Sequence, residues 1–189
     1  MNNIAIFASG NGSNFQSIVD AYKNKKLKLD KIILITNKKN CYAIQRAYEN
    51  NIKNYTFVLK DYNSKEEYEL DIVRTLVKED IKWIFLAGYM MMITDVLLKK
   101  YDKKIINIHP SLLPSFKGKD AIKEALDNKV YLSGLTIHYV NHEMDAGEII
   151  FQKQVRVYKT DNVEKLTKRI QKQEHKYYWQ IIDKIIKGG

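Results

Sequence analysis

Short apolar runs alternate with helix-periodic segments from Asn3 to Ile108, and this alternation leaves few folds open to the chain. Asn3–Ala8 (NIAIFA) is an apolar run ended by a glycine turn, the pattern of a strand buried on both faces. Phe15–Tyr22 follows with Phe15, Ile18, Val19 and Tyr22 on one helical face. Lys31–Thr36 reads as the next buried strand, Tyr42–Asn50 as a helix and Asn54–Val58 as a short strand. Ser64 and Glu67 form a capping-box pattern, opening a helix that runs to about Glu79. Trp83–Ala87 (strand), Thr94–Lys100 (helix) and Lys104–Ile108 (strand) continue the series. Strands joined by helices cannot pair as tight hairpins, so these pair in parallel under covering helices.

The pattern changes beyond Ile108. Lys119–Asn128 is helical, whereas Leu135–Val140 and Glu148–Val157 alternate like antiparallel strands around the loop Asn141–Gly147. Asp161 is placed to cap a final helix reaching about Lys187. The expected fold is α/β: an open, mainly parallel Rossmann-like sheet with helices on both faces and a mixed antiparallel C-terminal part. With no repeat or linker composition, 1–189 reads as a single domain.

Ligands of open α/β sheets bind beyond the carboxyl ends of the strands, and three such places carry unusual residues. The first is Ser9-Gly10-Asn11-Gly12-Ser13-Asn14. Glycines there permit a tight turn, and the helix start that follows offers free N–H groups to an anion such as phosphate. It lacks the Gly-Lys-Ser/Thr ending of a Walker loop. Phe15 stands where a dinucleotide fingerprint needs its third glycine, and Thr36-Asn37 offers no ribose-binding acid. A plain strand-to-helix turn capped by Ser13 or Asn14 fits this loop equally well.

The second is Asn107-Ile108-His109-Pro110-Ser111-Leu112-Leu113-Pro114, which holds both prolines of the chain. Proline stiffens a loop, and Asn107 and His109, two apart on a strand, point the same way. An amide donor beside an imidazole suits a developing oxyanion. The third is Met144-Asp145-Ala146-Gly147-Glu148. Gly147 there permits an unusual backbone shape, and Asp145 can orient a histidine or a water. On its own this segment is an ordinary Asp-x-Gly turn. His138 either supports the site or is a hydrogen-bonded sheet residue, while His142 and His175 are weaker signals.

Other features exclude classes of function. A single cysteine, Cys41, rules out an internal disulfide and suits a reducing, cytoplasmic setting. With one cysteine and no His-x-x-x-His pair, the sequence offers no zinc ligand set, and no metal is expected. No apolar stretch approaches the ~20 residues that span a bilayer, and the N-terminus lacks the basic flank of a signal peptide. The formal net charge of +10 is spread over scattered lysine pairs. That pattern, with abundant Asn, Ile and Tyr, follows AT-biased coding rather than a nucleic-acid surface.

The segments SGNGSN, LAGYM, NIHPSLLP, GLTIHYV, MDAGEII and QKQEH, in that order and spacing, resemble the glycinamide ribonucleotide transformylase family. These are the phosphoribosylglycinamide formyltransferases of purine synthesis. The resemblance runs from Asn3 to about Ile186. It implies formyl transfer from 10-formyltetrahydrofolate to the amine of glycinamide ribonucleotide, in the formyltransferase fold. Gly12, Ser13 and Asn14 would hold the substrate phosphate, and Glu174 would face its glycinamide end. Asn107, His109 and Asp145 would be catalytic. Met90, Met91, Met92 and Ile93, the main chain near Asn141–Asp145, and Asn107 would line the folate pocket, with Lys65 meeting the folate tail. The phosphate-binding half would be about 1–100 and the folate and catalytic half about 101–189.

The implied mechanism is direct attack of a neutral amine on the formyl carbon. Asn107 and a protonated His109 would stabilise the tetrahedral oxyanion, and Asp145 would pair with the imidazolium and relay a proton through water. The resemblance also implies a cis bond between Leu113 and Pro114. Two positions depart from the family pattern: Met91 replaces a basic or polar residue, and Lys117 a proline. The related formyltransferases of initiator methionyl-tRNA carry a second, tRNA-gripping domain, for which this chain has no room. A non-catalytic binding module and a dinucleotide oxidoreductase are weaker rivals. The expected partners are the two small-molecule substrates, with no nucleic acid and no membrane, for a monomer or weak homodimer.

Overall fold

The structure is a computed structural model that describes residues 2–188. Its strands are β1 (Asn3–Phe7), β2 (Lys31–Thr36), β3 (Lys53–Thr56), β4 (Trp83–Leu86), β5 (Ile105–His109), β6 (Leu132–Tyr139) and β7 (Ile149–Arg156). Its α-helices are α1 (Ser13–Lys23), α2 (Tyr42–Glu49), α3 (Lys65–Lys78), α4 (Asp95–Lys100), α5 (Ala121–Asp127) and α6 (Val163–Gly188). The strands form one sheet in the order β3-β2-β1-β4-β5-β6-β7. Pairing is parallel from β3 through β5 and antiparallel at β5–β6 and β6–β7, as the change in sequence pattern predicts.

The period-two alternation of a strand divides the core in two. Ile4, Ile6, Ile32, Leu34 and Phe85 face α1, α2 and α6, and pack with Phe15, Ile18, Ile170 and Tyr178. Ala5, Phe7, Ile33, Ile35 and Ile84 face the other way, onto Tyr68, Ile72, Leu76 and Leu97 of α3 and α4. β1, β2 and β4 read as continuous apolar runs because both their faces are covered, whereas β3 and β7 at the sheet edges are partly exposed. Tyr178 also donates a hydrogen bond across the core to the Leu86 carbonyl at 2.8 Å, tying α6 to β4.

Local expectations need three corrections. Asn162, not Asp161, caps α6, its Oδ1 accepting from the Lys165 N–H at 2.9 Å. Asp161 instead takes two hydrogen bonds from Arg169, at 2.7 and 2.8 Å, a bidentate pair that a cap would forgo. Ser64 caps α3, accepting from the Glu67 N–H, but the Glu67 carboxylate reaches back to the Asn63 N–H, not to that of Ser64. Finally, Asp145 rather than Gly147 takes the left-handed conformation, with φ 49°. Gly147 is required by space: a Cβ there would lie 1.7 Å from the Tyr139 carbonyl oxygen.

Candidate active site

The strand order reverses direction between β1 and β4, so the loops after these neighbouring strands diverge and leave a crevice. With the loop after β5 they enclose a cavity of about 470 Å³, within the range of small-molecule sites. Asn107 and His109 line it, and the rest of its lining falls into two arms. One arm ends on Gly10–Asn14 with Thr167, Gln171 and Glu174; the other runs along Leu86–Ile93 toward Val140–Asp145.

At the first arm, Gly12 is the N-cap of α1 in the left-handed conformation, φ 72°, and a Cβ there would lie 2.8 Å from the Ala43 Cβ. Among the described residues no side chain caps α1, and its first turn carries no acid. Neither Ser13 nor Asn14 acts as the cap, and the helix start faces the cavity, positive end inward. Arg46 pins the loop from α2, donating to the Asn11 carbonyl at 2.9 Å and to Asn11 Oδ1 at 3.1 Å. Asn14 donates through Nδ2 to Glu174 at 2.9 Å, and its Oδ1 is buried with no partner among the described residues. Burial pushes the Glu174 carboxyl up and the Asn14 hydrogen bond offsets part of that. The cavity can therefore offer a polar ligand an amide oxygen and a carboxyl that gains by meeting a cation or donor.

In the same lining, Asp145 lies between the side chains of β5 and β6. Its Oδ2 is 3.4 Å from His109 Nδ1 and accepts from the Gly118 N–H at 2.8 Å. Its Oδ1 is 3.4 Å from Asn107 Nδ2 and 3.7 Å from His138 Nε2. Burial raises the Asp145 carboxyl, but hydrogen bonds from His138 and Gly118 and the charges of both histidines outweigh it. The net pKa is lowered to about 2. His109 Nε2 faces the Phe116 carbonyl at 2.8 Å, so both its ring nitrogens face acceptor oxygens.

The sequence placed Asn107 and His109 on one strand face, and the structure brings both to Asp145, 36 or more residues away in the chain. His138 belongs to the same cluster. It stands directly across from Asn107 in the β5–β6 register, a position that strand pairing alone would have revealed. Thr136, opposite His109, donates to the Ser111 carbonyl at 2.7 Å and accepts from the Leu113 N–H at 3.0 Å. It thereby fixes the proline-bearing loop, in which Leu113–Pro114 is cis.

Met90, Met91, Met92 and Ile93 form a wall of the second arm, and Met144 also lines the cavity. Lys65 opens α3 and is not among the lining residues. His142 pairs with Asp95 on the surface, at 2.8 Å. His175 packs on α6 with Nε2 buried and without a partner among the described residues. No group of three or more His, Cys, Asp or Glu among the described residues is placed to hold a metal. No helix among them is long and apolar enough to cross a membrane.

Residues 2–182 match the family model for formyl transferase. The chain is 41% identical over 186 residues to a phosphoribosylglycinamide formyltransferase of Bacillus subtilis (strain 168), covering 98% of this chain and 95% of that protein. It is 33% identical over 180 residues to the Escherichia coli (strain K12) protein of the same name, covering 95% and 85%. Among solved structures, glycinamide ribonucleotide transformylase 1 of Geobacillus kaustophilus superposes with a TM-score of 0.95 at 42% identity. That match covers 98% of this chain and 99% of the other.

Proposed function

The chain belongs to the formyl transferase family, and on that premise we propose that it moves the formyl group of 10-formyltetrahydrofolate to the amine of glycinamide ribonucleotide. It does so as an enzyme of purine biosynthesis, acting in the cytoplasm as a monomer or weak homodimer. The observation that carries this reading is the placement of Asp145 against His109, Asn107 and His138 in the lining of the cavity. A nucleophile from one arm and a carbonyl from the other reach each other there.

In this reading Gly12, Ser13 and Asn14 hold the phosphate at the uncapped start of α1, where N–H groups and the helix dipole favour an anion. Glu174 faces the amine and accepts a hydrogen from it. Met90, Met91, Met92 and Ile93 cover the ring system of the folate, and Lys65, outside the cavity, meets its tail. The residues before about 100 hold phosphate and supply the Met90–Ile93 wall, and those after it supply the catalytic group, Glu174 and the remaining folate contacts.

The neutral amine attacks the formyl carbon. Charge develops on the formyl oxygen, where the Asn107 amide donates one hydrogen bond and the His109 imidazolium, its Nε2–H turned from the Phe116 carbonyl to the substrate, donates another. Such donors stabilise the transition state more than the ground state. Asp145 holds the His109 cation in place and, ionised across the neutral range, accepts a proton from the attacking nitrogen through water. The proton then passes to the departing folate nitrogen. The chemistry uses the folate as co-substrate and no metal.

The test is incubation of the purified chain with both substrates, following the folate absorbance change and the mass of the nucleotide product. A product heavier by one formyl group, formed only when both substrates are present, is expected. Folate and nucleotide binding without any product would overturn the reading.

A further inference from the structure

Glu69 is almost wholly buried, at 1% exposed, yet its hydrogen bonds go to Thr94 and Leu97 and not to the Asp145 cluster, and it is not among the residues lining the cavity. It lies on α3, on the face packed against α4. Its Oε1 accepts from the Thr94 N–H at 2.8 Å, and its Oε2 accepts from the Thr94 hydroxyl at 2.6 Å and the Leu97 N–H at 3.2 Å. Thr94 is the N-cap of α4 but gives its helix no side-chain cap. The Glu69 carboxylate takes over that task, satisfying the N–H that an N-cap hydroxyl ordinarily would. An acid at a helix start also meets the positive end of the dipole.

The strand end after β4 is tied down at its other end too. The Met90 N–H donates to Ser9 Oγ at 2.8 Å, and the Tyr89 and Tyr68 hydroxyls are 2.5 Å apart. Met90 to Ile93, the methionine wall of the cavity, is thus strung between Ser9 and Tyr68 on one side and Glu69 on the other. Neighbouring residues of α3, Tyr68 and Glu69, hold both ends. Methionine side chains are flexible and fill gaps of many shapes, so this wall has little shape of its own. Its position must come from the backbone.

We propose that Glu69 is a positioning residue that sets the shape of the folate arm by fixing Thr94 and, through it, the Met90–Ile93 wall. This rests on the assignment of that arm to folate made above. Loss of the carboxylate frees one end of the wall and leaves Gly12–Asn14, Glu174 and the Asp145 cluster in place. Folate binding weakens, while nucleotide binding and the chemical step at saturation are kept.

The experiment compares wild type with Glu69→Gln, Thr94→Val and Thr94→Ser. It reads KM for each substrate, kcat, and calorimetric Kd for a stable deaza-folate and for glycinamide ribonucleotide. Displacing a binding wall by a fraction of an ångström is expected to raise KM and Kd for the folate by about tenfold in Glu69→Gln. The nucleotide constants and kcat should stay within about twofold. Thr94→Val, lacking one donor, should move the same way by less, and Thr94→Ser should restore wild-type values. Should Glu69→Gln fail to fold, the Thr94 pair decides. An unchanged folate Kd, or an equal loss for both ligands, overturns the proposal while wild-type turnover stands. A wild-type protein that binds no deaza-folate removes the reading of the arm and this proposal with it.

Discussion

The Asp145 carboxylate stands 3.4 Å from Nδ1 of His109, with only about a tenth of its side chain exposed to solvent. Its pKa, lowered to about 2 by hydrogen bonds and histidine charges that outweigh burial, keeps it ionised wherever the enzyme works. Asp145→Asn keeps the size and tolerates the left-handed backbone at φ 49°, so the fold should survive. On the proposed mechanism turnover should fall by about 10²-fold or more, since His109 would lose its counter-charge and the relay its base. The ionised carboxylate contributes roughly 2 kcal/mol of stability. That contribution is fully present above the unfolded carboxyl value of about 4 and is lost as pH falls through about 2. Acid melts of the wild type and the asparagine variant should therefore converge below pH of about 2.

Glu174 lies on the opposite side of this balance, because burial raises its carboxyl. An acid raised in the folded state favours folding below its unfolded pKa, and that advantage is lost as pH rises toward the folded value. Glu174→Gln keeps the Asn14 contact and removes the titration. The variant should melt no lower than wild type at neutral pH. Its KM for the nucleotide should rise by about tenfold or more through loss of a charge-assisted hydrogen bond. Melting curves and KM measured on one preparation separate the two effects.

Gly12→Ala tests the proposed phosphate loop through its backbone. The added Cβ meets Ala43 at 2.8 Å, at a residue whose φ of 72° already disfavours a side chain. A cost of about 1–3 kcal/mol in stability is expected. Nucleotide affinity should fall more than folate affinity, since the loop belongs to the first arm. Equal loss for both ligands would point to general unfolding.

A purely structural prediction concerns Glu79, which is buried at the edge of the sheet. Lys53 and Tyr55 donate to its Oε1 at 2.6 and 2.5 Å, and Lys31 approaches Oε2 at 3.2 Å. Hydrogen bonds from Lys53 and Tyr55 lead in lowering its pKa to about 2. Because both lysines are half exposed and screened, Glu79→Gln should cost about 1–2 kcal/mol at neutral pH, not the full value of the shift. The difference from wild type should be present above about pH 4 and vanish as pH falls through about 2. Turnover at saturation should not change.

The sheet and its layers were legible because β1, β2, β4 and β5 are mainly apolar runs and a helix such as Phe15–Tyr22 carries its apolar residues on one face. Asn107 and His109 could be paired because a strand fixes where alternate side chains point. Their meeting with Asp145 depends on the β5–β6 register, which no local pattern contains. For the same reason His138 stayed ambiguous until its partner across the sheet was known to be Asn107. The α6 cap was misassigned because Asp161 and Asn162 are both good cap residues. Arg169, about two turns into α6, decides between them by pairing with Asp161. Glu69 was silent for another reason: on a helix rich in acids, nothing in the sequence marks the one carboxylate that is buried.

Stabilisation by His109 of the charge formed when the two arms' ligands react is the step on which the proposed mechanism depends. It is tested most directly by turnover with 10-formyltetrahydrofolate and glycinamide ribonucleotide in wild type and His109→Ala, with melting curves and both Kd values alongside. A loss of about 10²–10³ in kcat is expected, with both ligands still bound and the fold kept. Near-normal turnover in His109→Ala would contradict it.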